Sequence, residues 1–171
     1  DGDVGIGTTS PRQKLHIRQD GGNELVFPLH IQTDDSTNTG GTAVGAIFAT
    51  DVQETFGKGA IVYERKSSFA RGDFHILQNT VADSSNPSLT DSVLTIQNNG
   101  NVGIGTNSPA AKLEVDGGVR LNTASSKGTC TSAQRGTMWV EQRTSGNDDI
   151  MYACLKDSSN AYNWVIVARG G

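Results

Sequence analysis

The side chains in this 171-residue sequence that could do acid–base, nucleophilic or metal chemistry are eighteen acidic residues, three histidines and two cysteines. His16, His30 and His75 fall on separate segments, with neither HExxH nor a paired-histidine spacing, so no catalytic metal site is expected. Asp34–Asp35 and Asp148–Asp149 offer adjacent carboxylates of the kind calcium prefers, but such pairs in polar turns read as solvated charge. Glycoside hydrolysis needs two carboxyls facing each other across a cleft, and the sequence singles out no pair. A Ser–His–Asp hydrolase would show a GxSxG elbow, and none is present. Gly103 and Gly105 resemble a phosphate-cradling loop only superficially, because no third glycine or Lys–Ser/Thr pair follows. The expectation is a protein without cofactor, metal or catalytic residues.

The cysteines have a different use. Cys130 and Cys154 stand on either side of a predicted hairpin, with no neighbouring residues at metal-ligand spacing. In an exported protein they read as an intrachain disulfide. Closing a loop of that length stabilises by roughly 3–4 kcal/mol in the chain-entropy picture.

The segment the chain is organised around occurs twice. DGDVGIGTTSPRQKLHI opens the sequence, and NGNVGIGTNSPAAKLEV returns 98 positions later, with ten of fourteen residues identical between 2–15 and 100–113. A fixed-offset repeat of this density marks a modular array. Val102 and Ile104 alternate with glycines, so an extended strand carries both apolar side chains on one face and bare backbone on the other. Such a strand cannot bury itself, and Val4, Ile6, Val102 and Ile104 are expected to line an axis between copies of the chain. Ser108 before Pro109 reads as a helix cap followed by about one turn through Lys112, after which Leu113–Val115 resumes a strand.

The pattern GNVGIGT-x-SP-x-x-KLEV resembles the linker repeat of trimeric fibre proteins, namely phage tail and neck fibres and the mosaic adhesive trimers of predatory bacteria. The intervening GKGAIVYERKSSFARGDFHILQN and DSVLTIQNNGNVGIGT are similar to the β-domain preceding that linker. The resemblance covers residues 1–120 closely and the remainder more loosely, where C…GTMWV…MYAC…W resembles disulfide-bonded modules at fibre tips. It implies a parallel homotrimer with a shaft and a receptor-binding tip.

Composition agrees with a shared core. Leu, Ile, Val and Phe number 37, about 22% of the chain, only slightly above the level at which disorder sets in. Oligomerisation remedies a core too thin for one chain. The net charge of −4 comes with no basic run longer than Arg65–Lys66, which excludes a nucleic-acid footprint. No apolar run reaches membrane-spanning length. Because the sequence begins inside a repeat, it is expected to belong to a longer chain, with any export signal upstream.

The fold expected is all-β: an elongated homotrimeric fibre fragment with linker 1–17, a sandwich-like shaft 18–98, linker 99–117 and a tip 118–171. Strands are predicted at Val44–Ala49, Ala60–Glu64, Phe74–Gln78, Val93–Ile96, Thr137–Gln142, Ile150–Leu155 and Trp164–Ala168. Pro28 confines Leu25–Ile31 to an edge or bulge. Strand parity puts Trp164 with Ile166 and Ala168 in the core, and Tyr152 beside the disulfide. Trp139 has polar company, and reads as an interface residue in preference to an exposed stacking platform.

The function expected is multivalent, non-catalytic recognition of a target-cell surface glycan or other surface receptor by an extracellular or virion fibre. The loops 143–149 and 156–163 are expected to cluster, presenting Arg143, Asn147, Asp148, Asp149 and Tyr162 to a sugar. Two other readings stand beside it: a polysaccharide-degrading, tailspike-like enzyme and a purely structural trimerising cap.

Overall fold

The computed structural model describes residues 2–19, 22, 27, 29–33, 40–50, 56–121, 127–143 and 145–170. Eleven strands order along them: β1 (Val4–Ile6), β2 (Leu15–Ile17), β3 (Ala43–Phe48), β4 (Gly59–Arg65), β5 (Gly72–Gln78), β6 (Ser92–Ile96), β7 (Val102–Ile104), β8 (Leu113–Val115), β9 (Met138–Glu141), β10 (Ile150–Lys156) and β11 (Tyr162–Arg169). Helical structure among these residues is limited to two 3-10 turns, Leu89–Asp91 and Ser132–Gln134. The chain divides into two compact units, Asp1–Gly117 and Gly118–Gly171.

In the first unit β3 through β8 form one six-stranded sheet in sequence order, antiparallel except for the parallel pair β7–β8. The shaft was expected to be sandwich-like. Among the described residues each of β3–β8 instead pairs with its sequence neighbour in one sheet, and β1–β2 form a separate two-stranded sheet. Of the strand expected over Leu25–Ile31, residues 25, 26 and 28 lie outside the described residues, as do Asp34–Asp35; 27 and 29–33 are not in a strand.

The repeat folds identically in both copies. β1 and β2 pair in parallel with Val4 opposite Leu15 and Ile6 opposite Ile17; β7 and β8 do the same with Val102 opposite Leu113 and Ile104 opposite Val115. The connections, residues 7–14 and 105–112, are shorter than the dozen or so residues a parallel crossover usually takes. Matching hydrogen bonds hold them. The Ser10 amide donates to Thr8 Oγ1 at 3.2 Å, and the Ser108 amide to Thr106 Oγ1 at 3.3 Å. The Val4 and Val102 amides donate to Lys14 and Lys112 carbonyls at 2.8 and 2.9 Å.

The glycine face serves this same turn. A Cβ on Gly103 would lie 2.3 Å from the Thr106 carbonyl oxygen, and one on Gly5 2.5 Å from that of Thr8. The bare backbone is therefore approached by the chain's own turn. The strand also has partners at home: β7 lies between β6 and β8. The helical turn expected after Ser108 does not form. The Ala110 amide donates to the Glu114 carboxylate at 2.7 Å, and at the equivalent place the Arg12 amide donates to His16 Nδ1 at 3.3 Å. Side chains of the returning strand thus take the amides that a helix cap would have used.

The second unit is a three-stranded antiparallel sheet in the order β11–β10–β9. Cys130 and Cys154 are disulfide-bonded, with Cα atoms 5.5 Å apart, and Cys154 is 0% exposed. The bridge clamps the segment preceding β9 onto β10.

Candidate functional site

Side chains alternate across a sheet, and residues registered opposite each other share a face. Carrying the register from β3 to β8 assigns one face to Val44, Ala46, Phe48, Ile61, Tyr63, Phe74, Ile76, Leu94, Ile96, Val102, Ile104, Leu113 and Val115. Every one of these is apolar or aromatic, and at the ends of β4 and β5 the same register adds Gly59, Arg65, Gly72 and Gln78. The other face carries Ala60, Val62, Glu64, Asp73, His75, Leu77, Thr95 and Gly103.

Burial runs opposite to polarity. Along β5, Asp73, His75 and Leu77 are buried while Phe74 and Ile76 are exposed. Seven residues of the apolar face, Phe48, Ile61, Phe74, Ile76, Ile96, Ile104 and Leu113, keep 43–61% of their surface. At ~150–200 Å² for a full large side chain, half exposed, these seven present on the order of 600 Å². That is the upper end of what a monomer exposes as one patch.

The chain covers the mixed face with its own loop. Pro87 and Leu89 border a small cavity with Ala43, Gly45, Val62 and Leu77. Asn86 Oδ1 accepts from the Gly57 amide at 3.0 Å, and Lys58 Nζ donates to Asp83 at 3.0 Å and to the Ser85 carbonyl at 2.9 Å. Hydrogen bonds from the Ser85 hydroxyl and amide, helped by Lys58, hold the Asp83 carboxyl down at about 2.

The first repeat copy shows the same polarity. Val4, Ile6, Leu15 and Ile17 share a face, and the first three are exposed. The four residues expected on an axis, Val4, Ile6, Val102 and Ile104, therefore lie on open apolar faces, although the strands carrying them are paired within the chain.

In the second unit, Met138, Val140, Met151, Ala153, Leu155 and Val165 form the open face. The opposite face holds Trp139, Ile150, Tyr152, Cys154 and Trp164 beneath the disulfide-clamped segment. Trp164 Nε1 donates to the Gly128 carbonyl at 2.7 Å, and Lys127 Nζ sits 4.0 Å from the Tyr152 ring centre. Lys127 also donates to Glu141 at 2.8 Å, which raises the Lys127 pKa and lowers that of Glu141.

Three expectations change here. Trp139, expected in polar company, lies on the disulfide face, half-buried, with its ring 6.5 Å from Trp164. Ala168 does not share the face of Trp164, because a bulge at Met151/Tyr152 reverses the alternation and pairs Ala168 with Met151. The two loops expected to cluster lie at opposite ends of β10, one joining β9 to its start and the other joining its end to β11. Seven strand residues at about 3.4 Å each separate those ends by roughly 20 Å.

The loop side chains are also partly committed. Arg143 Nε donates to Glu141 at 3.0 Å, and Asp149 Oδ1 accepts from the Arg143 amide at 2.7 Å. Asn147 and Asp148 are exposed at that end, and Tyr162 is half-buried at the other. In the far loop Asp157 Oδ1 accepts from the Ser159 hydroxyl at 2.7 Å and the Ala161 amide at 3.0 Å, and these bonds lower its pKa.

A polar cluster on the closed face went unnoticed in the sequence. Glu64, Asp73 and His75 bring one donor atom each within 4.8 Å of one another. Nothing in their sequence spacing signals this, because it depends on β4 pairing with β5 in one register.

No protein-family model matches the chain, and no curated protein matches it either.

Proposed function

We propose that this chain is the distal part of a homotrimeric extracellular fibre that binds a target-cell surface glycan without catalysis. The observation that carries the reading is the largely apolar, open face of the β3–β8 sheet. Three copies placing that face against one another would bury it around a common axis, and the open faces of β1–β2 and of the second unit have the same character. The number three and the adhesive role rest on the resemblance of the VGIGT-x-SP-x-x-KL repeat to fibre linkers. The disulfide supports an oxidising location. Binding gains strength from avidity, since three weak sites on one fibre engage a repetitive surface together.

With the two loops apart, the proposed ligand contacts are Asn147 and Asp148, exposed in a turn fixed by Asp149 and Arg143. The test is light scattering followed by a glycan array with native protein, Asn147→Ala/Asp148→Ala and Tyr162→Ala. A mass near 54 kDa, three chains of 18.0 kDa, and loss of array binding in the first variant alone are expected. A monomer mass refutes the assembly. Binding that survives the first variant and is lost in Tyr162→Ala moves the site to the other end of the sheet. A trimer that binds no glycan leaves only the capping role.

A further inference from the structure

We propose that Glu64, Asp73 and His75 form a binding site for one divalent transition-metal ion of the zinc class. The register places them: Glu64 on β4 is directly opposite Asp73 on β5, and His75 is two residues along β5 on the same face. Asp73 and His75 are each 3% exposed, and Glu64 is half-buried.

The cluster leaves a buried ring nitrogen facing a carboxylate. Ser92 Oγ and Thr95 Oγ1 each lie 3.2 Å from His75 Nδ1, so that nitrogen has partners in either tautomer. Nε2 is buried, has no hydrogen-bond partner, and sits 3.3 Å from Glu64 Oε2. In the tautomer with the hydrogen on Nδ1, two acceptors face each other away from water, an arrangement that a cation between them would satisfy.

The spacing suits a metal ion. Bonds of about 2.0–2.1 Å in a tetrahedral shell put neighbouring donors roughly 3.4 Å apart, close to the Nε2–Oε2 separation. A ligating histidine ordinarily has its other ring nitrogen held by a second-layer acceptor, a place the Ser92 and Thr95 hydroxyls occupy here. Asp73 Oδ1 accepts from the Asn98 amide at 2.8 Å, which orients that carboxylate. One imidazole with two carboxylates favours zinc and its neighbours over calcium or magnesium, which take oxygen shells. Lys66 Nζ, 3.1 and 3.2 Å from the Glu64 oxygens, competes for the same carboxylate from the exposed side and swings into water when an ion binds. The ion ties β4 to β5 and, binding only the folded chain, raises its melting temperature.

The experiment uses the full chain, stripped with a chelator and titrated with zinc chloride. Calorimetry, thermal melting and the histidine ring-nitrogen NMR signals are followed, with cobalt(II) absorption reporting geometry. One ion per chain, a higher melting temperature, a shift confined to His75 Nε2 and tetrahedral cobalt bands are expected. Glu64→Gln weakens binding at least tenfold, whereas Lys66→Met, at an exposed position that leaves the fold intact, tightens it severalfold. Sub-stoichiometric binding with an unmoved His75 signal overturns the proposal. So does undiminished affinity in Glu64→Gln, which would put the ion on His16 or His30.

Discussion

Replacing Ile76 by Asp separates the stability of the chain from the stability of its assembly. Ile76 lies mid-sheet between Ile61 on β4 and Leu94 on β6, and is 45% exposed in the single chain. An aspartate there keeps its carboxylate in water as long as the chain is alone. The loss is part of one isoleucine's burial and some strand preference, about 1–2 kcal/mol. In a trimer closed on this face, three carboxylates enter the shared core. Each unpaired buried charge costs several kcal/mol, so the assembly loses on the order of 10 kcal/mol or more. Ile76→Ala provides the graded comparison. It gives up the apolar surface still exposed in the chain, about 1 kcal/mol per copy and about 3 kcal/mol per trimer, which weakens association roughly a hundredfold. Sedimentation at several micromolar concentrations should show a native trimer, a concentration-dependent Ala variant and an 18.0 kDa Asp variant with native-like circular dichroism. Native protein running at 18.0 kDa, or an Asp variant keeping the native mass and melting temperature, would refute the reasoning.

Three further outcomes follow from local geometry. Gly103→Ala drives a methyl to 2.3 Å from the Thr106 carbonyl, so the repeat turn must open; a melting temperature lowered by several degrees is expected, and an unchanged melt would count against the turn described here. Cys130→Ser/Cys154→Ser should destabilise the second unit by about 3 kcal/mol, read by denaturant unfolding, and thiol titration of native protein should find no free sulfhydryl. The Asp83 carboxyl, held at about 2 against an ordinary 3.8, contributes stability that is fully present above pH 3.8 and lost as pH falls through about 2. Carboxyl NMR titration should give that midpoint, and Ser85→Ala should move it upward.

The strands were largely legible. Val44–Ala49, Phe74–Gln78 and Ile150–Leu155 were expected within a residue or two of β3, β5 and β10, because branched and aromatic residues alternate between Gly/Asp/Ser turns. The pairing was not. Whether the bare backbone of Gly103 meets another chain or its own turn depends on where Thr106 folds, and the turn is set by hydroxyl and carboxylate bonds with no periodic signature. A single bulge at Met151/Tyr152 moved Ala168 to the other face, since strand alternation carries no memory across an inserted residue. Opposite placement of the two tip loops, by contrast, follows from consecutive hairpins alone and could have been read in advance.

The polarity of the first unit's sheet is what turns an unremarkable β-meander into an argument about assembly. An antiparallel sheet with one wet face normally buries its apolar side and shows water its polar side. Here the loop 79–91 closes over the side bearing Asp73, His75 and Thr95, and Phe74, Ile76, Ile96 and Ile104 are left outside. Strand register makes this hard to escape: slipping β5 by one residue would exchange the faces, but it would put Asp73 and His75 among Ile61 and Leu94. Among the described residues, Pro87 and Leu89 border the mixed face and residues 30–33 border the apolar one near Val44, Tyr63 and Arg65, so most of the apolar face is left open. A second and third copy offer the same surface in the same register, which no unrelated partner is bound to do. The first repeat copy points the same way. A two-stranded sheet is marginal by itself, yet β1–β2 keeps each backbone bond of its counterpart while Val4, Ile6 and Leu15 stay exposed. In the proposed assembly, packing between chains would supply the stability that this pair lacks.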